Sequence, residues 1–197
     1  INAAPGPIRN LKNCVARCHL DIDEVVLSPY AAGLSCLVED ERDLGVTLVD
    51  MGGGTSTIAV FYDGQVVYAE SIPVGGGHVT HDVARGLSTP VAHAERMKIL
   101  YGSAITSQSD DNEIIDVPLV GEDDHNHPNH VPRSILTGII RPRIEETFEL
   151  VRERLEISGA DRVCGRRMVL TGGASQLHGV PESVSYTHLR AHETIDD

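Results

Sequence analysis

No uninterrupted apolar run in this 197-residue chain approaches the roughly 18 residues of a membrane-spanning helix. The opening, INAAPGPIRNLKNC, has no basic segment leading into an apolar core, so no secretory leader is read there. It also lacks an initiating Met, which suits a piece of a longer protein. Basic residues are scarce: 16 Lys and Arg stand against 29 Asp and Glu, a net charge of −13. A phosphate backbone needs clustered positive charge, so no nucleic-acid partner is expected. The sequence Gly-Lys-Ser/Thr does not occur, which removes a Walker-type phosphate loop. Cysteine is limited to Cys14, Cys18, Cys36 and Cys164. Cys14 and Cys18 lie one helical turn apart beside His19, as a metal pair would. Ile8, Leu11 and Val15 nevertheless join them on one apolar helix face, and no second ligand pair has zinc-like spacing. Buried, reduced thiols are expected, in keeping with a cytosolic protein.

What is present describes a soluble globular chain of one or two domains: 41% of residues are hydrophobic and 23% charged. A helix is expected from Arg9 to His19, a short strand at Glu24–Leu27, a small helix over YAAGLSCLV and a solvated turn at EDERD. A buried strand at Gly45–Val49, a strand at Thr57–Tyr62 and a continuation at Gln65–Tyr68 form an antiparallel meander. Its second turn is marked by Asp63-Gly64. Val79, Val83 and Leu87 then recur at helical spacing, with the helix beginning near Thr80 and VGGG (Val74–Gly77) before it as a hinge. Thr89 as N-cap, Pro90 and Gly102 bracket a second helix. EIIDVPLV reads as an edge strand because Pro118 cannot donate to a ladder. GEDDHNHPNHVPR is a surface loop, and His125, His127 and His130 are expected to be solvated there rather than metal-bound. Ser134 should cap a long helix carrying Leu136, Ile140, Ile144, Phe148, Val151 and Leu155, bent by Pro142. A last strand, Arg167–Leu170, runs into TGGAS and a helix. SVSYTHLRAHETIDD, residues 183–197, shows neither period and is set aside as a non-native tail.

Two stretches could carry chemistry. VTLVDMGGGTSTIAVFYDGQVVY places Asp50 and three glycines between two strands. Bare backbone lets several N–H groups converge on phosphate oxygens. An ordinary tight turn would look the same. A lone carboxylate about 4 Å from phosphate would be repelled by roughly 4 kcal/mol at an effective dielectric of 20, so a phosphate reading of Asp50 requires a divalent cation, naturally Mg²⁺. Thr55 would then offer a hydroxyl to the terminal phosphate. MVLTGGAS ends a second buried strand in paired glycines, leaving room for a flat ring against Gly172 and Gly173. Between them lies AERMK, whose Glu95 and Lys98 share a helix face: a surface ion pair, or two side chains grasping ribose hydroxyls.

DMGGGTSTIAV, AERMK and VLTGGAS, in this order, resemble the second half of the actin, Hsp70 and sugar-kinase ATPase superfamily. Together with PIRNLKNC, LSPYAAGLSCLVEDERDLGVTLVDMGGGT and the stretch DGQVVYAESIPVGGGHVTHDVARGLSTPVAHAERMKILYGSA, they are most similar to the FtsA family of bacterial cell-division proteins. The likeness runs from Ile1 to about Glu182. It implies an α/β actin-like ATPase (ribonuclease H-like) fold, mostly its second lobe. Residues 1–44 would end the first lobe, 45–73 and 131–182 would form the core of the second, and 74–130 its smaller outer subdomain. It implies ATP and Mg²⁺ as cofactors. Asp50 would face the metal, Gly52, Gly53, Gly54 and Thr55 the phosphates, Glu95 and Lys98 the ribose and adenine, and Gly172, Gly173 and Ala174 the adenosine. Relatives often carry Asp where Thr57 stands. The resemblance further implies a protein that polymerises with itself, holds FtsZ at the cytoplasmic face of the inner membrane and recruits later division proteins, with at most weak ATPase activity. The first phosphate loop and the C-terminal membrane-binding helix are not found in the chain, so weak ATP binding by the chain alone is expected. A sugar or acid kinase, or an Hsp70-like ATPase, is the alternative on the same fold.

Overall fold

The computed structural model describes residues 5–120, 129–165, 167–186 and 191–194. Its centre is strand β1, Val46–Met51, whose apolar run has no solvent-facing side because both sheet faces are covered. β2 (Ser56–Tyr62) lies antiparallel to β1, and β3 (Gln65–Ile72) antiparallel to β2. The turn joining them places Asp63 and Gly64 at φ 51° and 69°, the left-handed pair that suits the twist of a two-residue hairpin. β4 (Ile114–Val117) and β5 (Asn129–Pro132) form a separate two-stranded sheet. β6, Met168–Thr171, joins the other side of β1 in parallel, and β7, Ala191–Thr194, pairs with β6. The sheet order is β3-β2-β1-β6-β7.

Helix α1 is Pro5–Arg17, and α2, Ser28–Cys36, covers one sheet face over Leu48 and Phe61. Gly33 allows this: a Cβ there would stand 2.1 Å from the Phe61 ring. α3 spans Glu39–Leu44, α4 Gly76–Gly86 and α5 Val91–Tyr101. The 26-residue α6, Arg133–Ser158, packs on the opposite sheet face, with all six of its expected apolar residues buried. These residues, Val79 and Val83 of α4, and Ile115 and Val131 of the small sheet belong to one continuous core. α7 is Val180–Tyr186.

Several expectations need correction. Glu24–Leu27 is irregular; Val25 and Val26 are exposed and find no partner strand among the described residues, without which a short apolar run cannot form a ladder. EDERD is not a turn but the body of α3. Three acids in its first turn suit the helix dipole, and a Glu41 carboxylate oxygen accepts the Val38 N–H at 3.2 Å. Cys14, on a helix that buries no residue, and Cys18, just beyond its end, are exposed, although the four cysteines are free thiols. The helix begins at Pro5 rather than Arg9. Thr89 caps nothing; its hydroxyl donates to the Pro118 carbonyl at 2.6 Å, while Pro90 precedes α5. Ser134 lies inside α6, which starts at Arg133 and continues through Pro142. α4 starts at Gly76, four residues before the expected point. A 3₁₀ turn, Gly173–Gln176, stands where a helix was expected after TGGAS. Residues 183–186 complete α7, with Val184 fully buried one turn from Val180; interleaved serines hid this spacing. Residues 191–194 are strand rather than patternless chain. His125 and His127 lie outside the described residues, while His130 is exposed and 2.7 Å from Asp116.

Candidate functional site

The end of β1 is shaped by what the glycines after it touch. The Gly52 N–H donates to the Thr55 carbonyl at 2.9 Å, closing the turn that sends the chain back as β2. The carbonyls of Gly52 and Gly53 accept the N–H groups of Gly76 and Gly77 at 2.9 and 2.7 Å. A helix start has unpaired N–H donors, and here the glycine turn satisfies two of α4's. The approach is close enough to forbid side chains: a Cβ on Gly75 would lie 2.5 Å from the Gly52 oxygen, and one on Gly77 2.9 Å from the Gly53 oxygen. VGGG, expected as a hinge, is tied to the first turn at Gly76 and Gly77. It is the second half of a backbone-to-backbone joint, and Gly53 and Gly54 are left exposed with open space above them.

Asp50 sits half-buried near the end of β1, opposite Thr57 on β2 and Thr171 on β6. Gly172, at φ +88°, lies directly on it, where a Cβ would stand 2.5 Å from an Asp50 carboxylate oxygen. The two glycine turns thus meet at this carboxylate. Gly173 beyond it has nothing within 4 Å of a built Cβ, and Ala174 faces Gly76.

Glu95 and Lys98 are more than a surface pair. The Lys98 ammonium, on a side chain only 14% exposed, donates to Glu95 at 2.8 Å, to the Thr80 hydroxyl at 2.9 Å and to the Gly76 carbonyl at 3.2 Å. Thr80 also hydrogen-bonds the Glu95 carboxylate. Burial alone would raise the Glu95 pKa, but the hydrogen bonds from Lys98 and Thr80 and the Lys98 charge outweigh it and hold the carboxyl below its ordinary 4.5. A lowered carboxylate pKa stabilises the fold above the unfolded value, and that contribution is lost as pH falls through the folded one. Between about pH 6 and about pH 3, a Glu95→Gln protein should therefore lose less thermal stability than the unsubstituted chain, as read by melting temperature.

A cleft of about 650 Å³ opens between these elements. It is lined by Gly52, Gly53, Glu95, Lys98, Gly173 and Ala174 among the residues expected from sequence. Asp50 and Gly172 pack together beside it, while Gly54 and Thr55 are at the exposed tip of the first turn. Gly76, Gly77 and His178 line it too and were not foreseen. The repeat of a glycine triplet at Gly75–Gly77 was the available signal for the first two; a contact made through backbone leaves no side-chain pattern. His178 is held by its carbonyl, which accepts the Ala104 N–H at 2.8 Å, and by its ring nitrogen 3.2 Å from the Ser103 hydroxyl. Among the described residues no three His, Cys, Asp or Glu side chains form a metal cluster, and no helix is long and apolar enough to cross a membrane.

Comparison with known proteins gives this arrangement a lineage. The sequence pattern of the family described as Cell division protein FtsA matches residues 47–194. The chain is 52% identical over 183 residues to the cell division protein FtsA of Rhizobium meliloti, covering 93% of this chain and 41% of that protein. It is 36% identical to the Escherichia coli K12 protein of the same name, covering 92% and 45%. The chain therefore spans less than half the length of these relatives. Among solved structures, MreB5 of Spiroplasma citri bound to ADP superposes with a TM-score of 0.78 at 18% identity, over 97% of this chain and 61% of that one. An ethanolamine utilization protein EutJ from Carboxydothermus hydrogenoformans gives 0.63 at 23% identity, over 89% and 52%. The superpositions, the family pattern and the relatives agree: the chain has the actin-like ATPase fold and belongs to the FtsA family of cell-division proteins.

Proposed function

We propose that the cleft is the nucleotide-binding half of an ATP-dependent division protein. The observation that carries this reading is the convergence of two glycine turns on Asp50, with the Glu95–Lys98 pair across the cleft. The residues fit such a ligand. Gly53, Gly54 and Gly173 present backbone with open space above it, whereas Gly75, Gly77 and Gly172 are packed too tightly to carry any side chain. Gly52, Gly53, Gly54 and Thr55 would contact the phosphates, and Gly172, Gly173 and Ala174 the adenosine. Glu95, anchored by Lys98 and Thr80 yet 44% exposed, keeps acceptor capacity for ribose hydroxyls. That anchoring suits binding better than activation of a substrate hydroxyl, which a kinase would require. MreB5 of Spiroplasma citri, solved with ADP and with AMPPNP, has the same fold. Mg²⁺ would supply charge neutralisation between phosphate and Asp50, through water.

In this reading residues 1–44 close the first lobe, 45–73 and 131–182 build the core of the second, and 74–130 its outer part. The full-length protein polymerises with ATP, holds FtsZ at the cytoplasmic face of the inner membrane and recruits later division proteins. Any hydrolysis is slow.

Asp50→Asn is the direct test. In the full-length protein, Mg²⁺-dependent ATP affinity should fall roughly ten- to a hundredfold, the range for losing a charged hydrogen-bonding group, and ATP-dependent sedimentation should fall with it. Chelating Mg²⁺ should remove most of the difference between the two proteins. Unchanged titration and sedimentation in the variant would remove Asp50 from the site.

A further inference from the structure

Thr80 is 3% exposed, on α4, and does not line the cleft. Its hydroxyl nevertheless lies at the centre of the polar network beside it. Its oxygen accepts from the Lys98 ammonium at 2.9 Å. Its single proton is shared between the Gly76 carbonyl, at 3.1 Å, and the Glu95 carboxylate. Gly76 in turn donates its N–H to Gly52 at 2.9 Å, and Gly77 donates to Gly53 at 2.7 Å. An unbroken chain of hydrogen bonds therefore runs from Glu95 and Lys98, through Thr80 and Gly76, to the glycine turn after β1.

We infer that Thr80 is a positioning residue of the nucleotide site: with Lys98 it fixes the Gly76 peptide, and through it the phosphate-facing turn. This rests on the nucleotide reading above. It gives Lys98 a task besides any ligand contact, since its three donors are directed at Gly76, Thr80 and Glu95. It also ties both ends of the cleft together, because the groups facing ribose and those facing phosphate share one peptide. A buried residue that never touches ligand can then set affinity through two backbone hydrogen bonds.

The test compares Thr80→Val, which keeps the shape and removes the hydroxyl, with Thr80→Ser, which keeps the hydroxyl. ATP with Mg²⁺ is titrated into each full-length protein, and hydrogen exchange is followed at the Gly76 and Gly77 amides. Thr80→Val should weaken ATP roughly three- to tenfold and speed exchange at both amides, the scale of one lost hydrogen bond. Thr80→Ser should stay within about twofold of the unsubstituted protein. Thr80→Ala, read by the same exchange, carries the test if the valine variant does not fold. ATP binding and exchange unaltered in Thr80→Val overturn the inference alone. Failure of the unsubstituted protein to bind ATP overturns the nucleotide reading and this inference with it.

Discussion

A Gly75→Ala protein should fold less stably than the unsubstituted chain and lose most of its affinity for ATP. The reason is contact, not backbone conformation: Gly75 has φ −158° and ψ −175°, extended values that alanine adopts freely. The added methyl would stand 2.5 Å from the Gly52 oxygen and 2.8 Å from the Gly53 carbonyl carbon and oxygen. These are backbone atoms at the mouth of β1, so no side chain can rotate out of the way. The turn and the start of α4 must separate, and the hydrogen bonds from Gly76 and Gly77 lengthen or break. Overpacking of this kind costs about 1–3 kcal/mol of stability. Because the displaced atoms belong to the backbone proposed to face phosphate, ATP affinity should fall by about a hundredfold, as misplacement by about an ångström weakens several converging contacts together. Gly54→Ala is the control: nothing lies within 4 Å of its built Cβ and its φ is not in the left-handed range, so the fold should tolerate it. Calorimetric titration and thermal melting of both proteins decide the matter. A Gly75→Ala protein that melts and binds like the original would mean that the joint between the two glycine segments is slack.

The largest loss of stability is expected at Phe148. It is fully buried near the middle of α6, in the same apolar core as Val49, Ile58 and Val60 of the sheet and Val83 of α4. Truncation to alanine removes a whole ring from a close-packed interior, which costs about 3–5 kcal/mol. For a chain of this length that lowers the melting temperature by roughly 10 °C, at about 2–4 °C per kcal/mol. Ile157→Ala on the same helix offers the contrast. Ile157 is 72% exposed, and its loss should change stability by no more than about 0.5 kcal/mol. If the two variants melted together, α6 would not be the packing partner of the sheet.

The parts of this architecture that could be read from sequence are those dictated by local chemistry. The apolar run at Gly45–Val49 announced the buried strand β1, and Asp63-Gly64 announced a hairpin through its tolerance of positive φ. The spacing of Leu136, Ile140, Ile144, Phe148, Val151 and Leu155 gave α6 its buried face. The errors have a common cause in tertiary context. Thr89 looked like a cap until Pro118 offered its carbonyl, and Val25 and Val26 looked like a strand with no neighbour to pair with. Cys14 and Cys18 lay on an apolar face that the described residues do not cover. In the cleft, side-chain chemistry identified Glu95 and Lys98, and the glycine turns marked both ends. What escaped was the supporting joint. Gly76 and Gly77 act through backbone, and Thr80 resembles any threonine in an amphipathic helix until Lys98 and Glu95 are seen around it.

In the function proposed above, this cleft holds ATP by its two glycine turns. A crystal structure of the full-length protein with Mg²⁺ and a non-hydrolysable ATP analogue tests it most directly. The expected result has phosphates against the backbone of Gly53–Thr55, the ribose at Glu95 and the base beside Gly173 and Ala174. A nucleotide bound elsewhere, with this cleft empty and the Glu95–Lys98–Thr80 network unchanged, would contradict it.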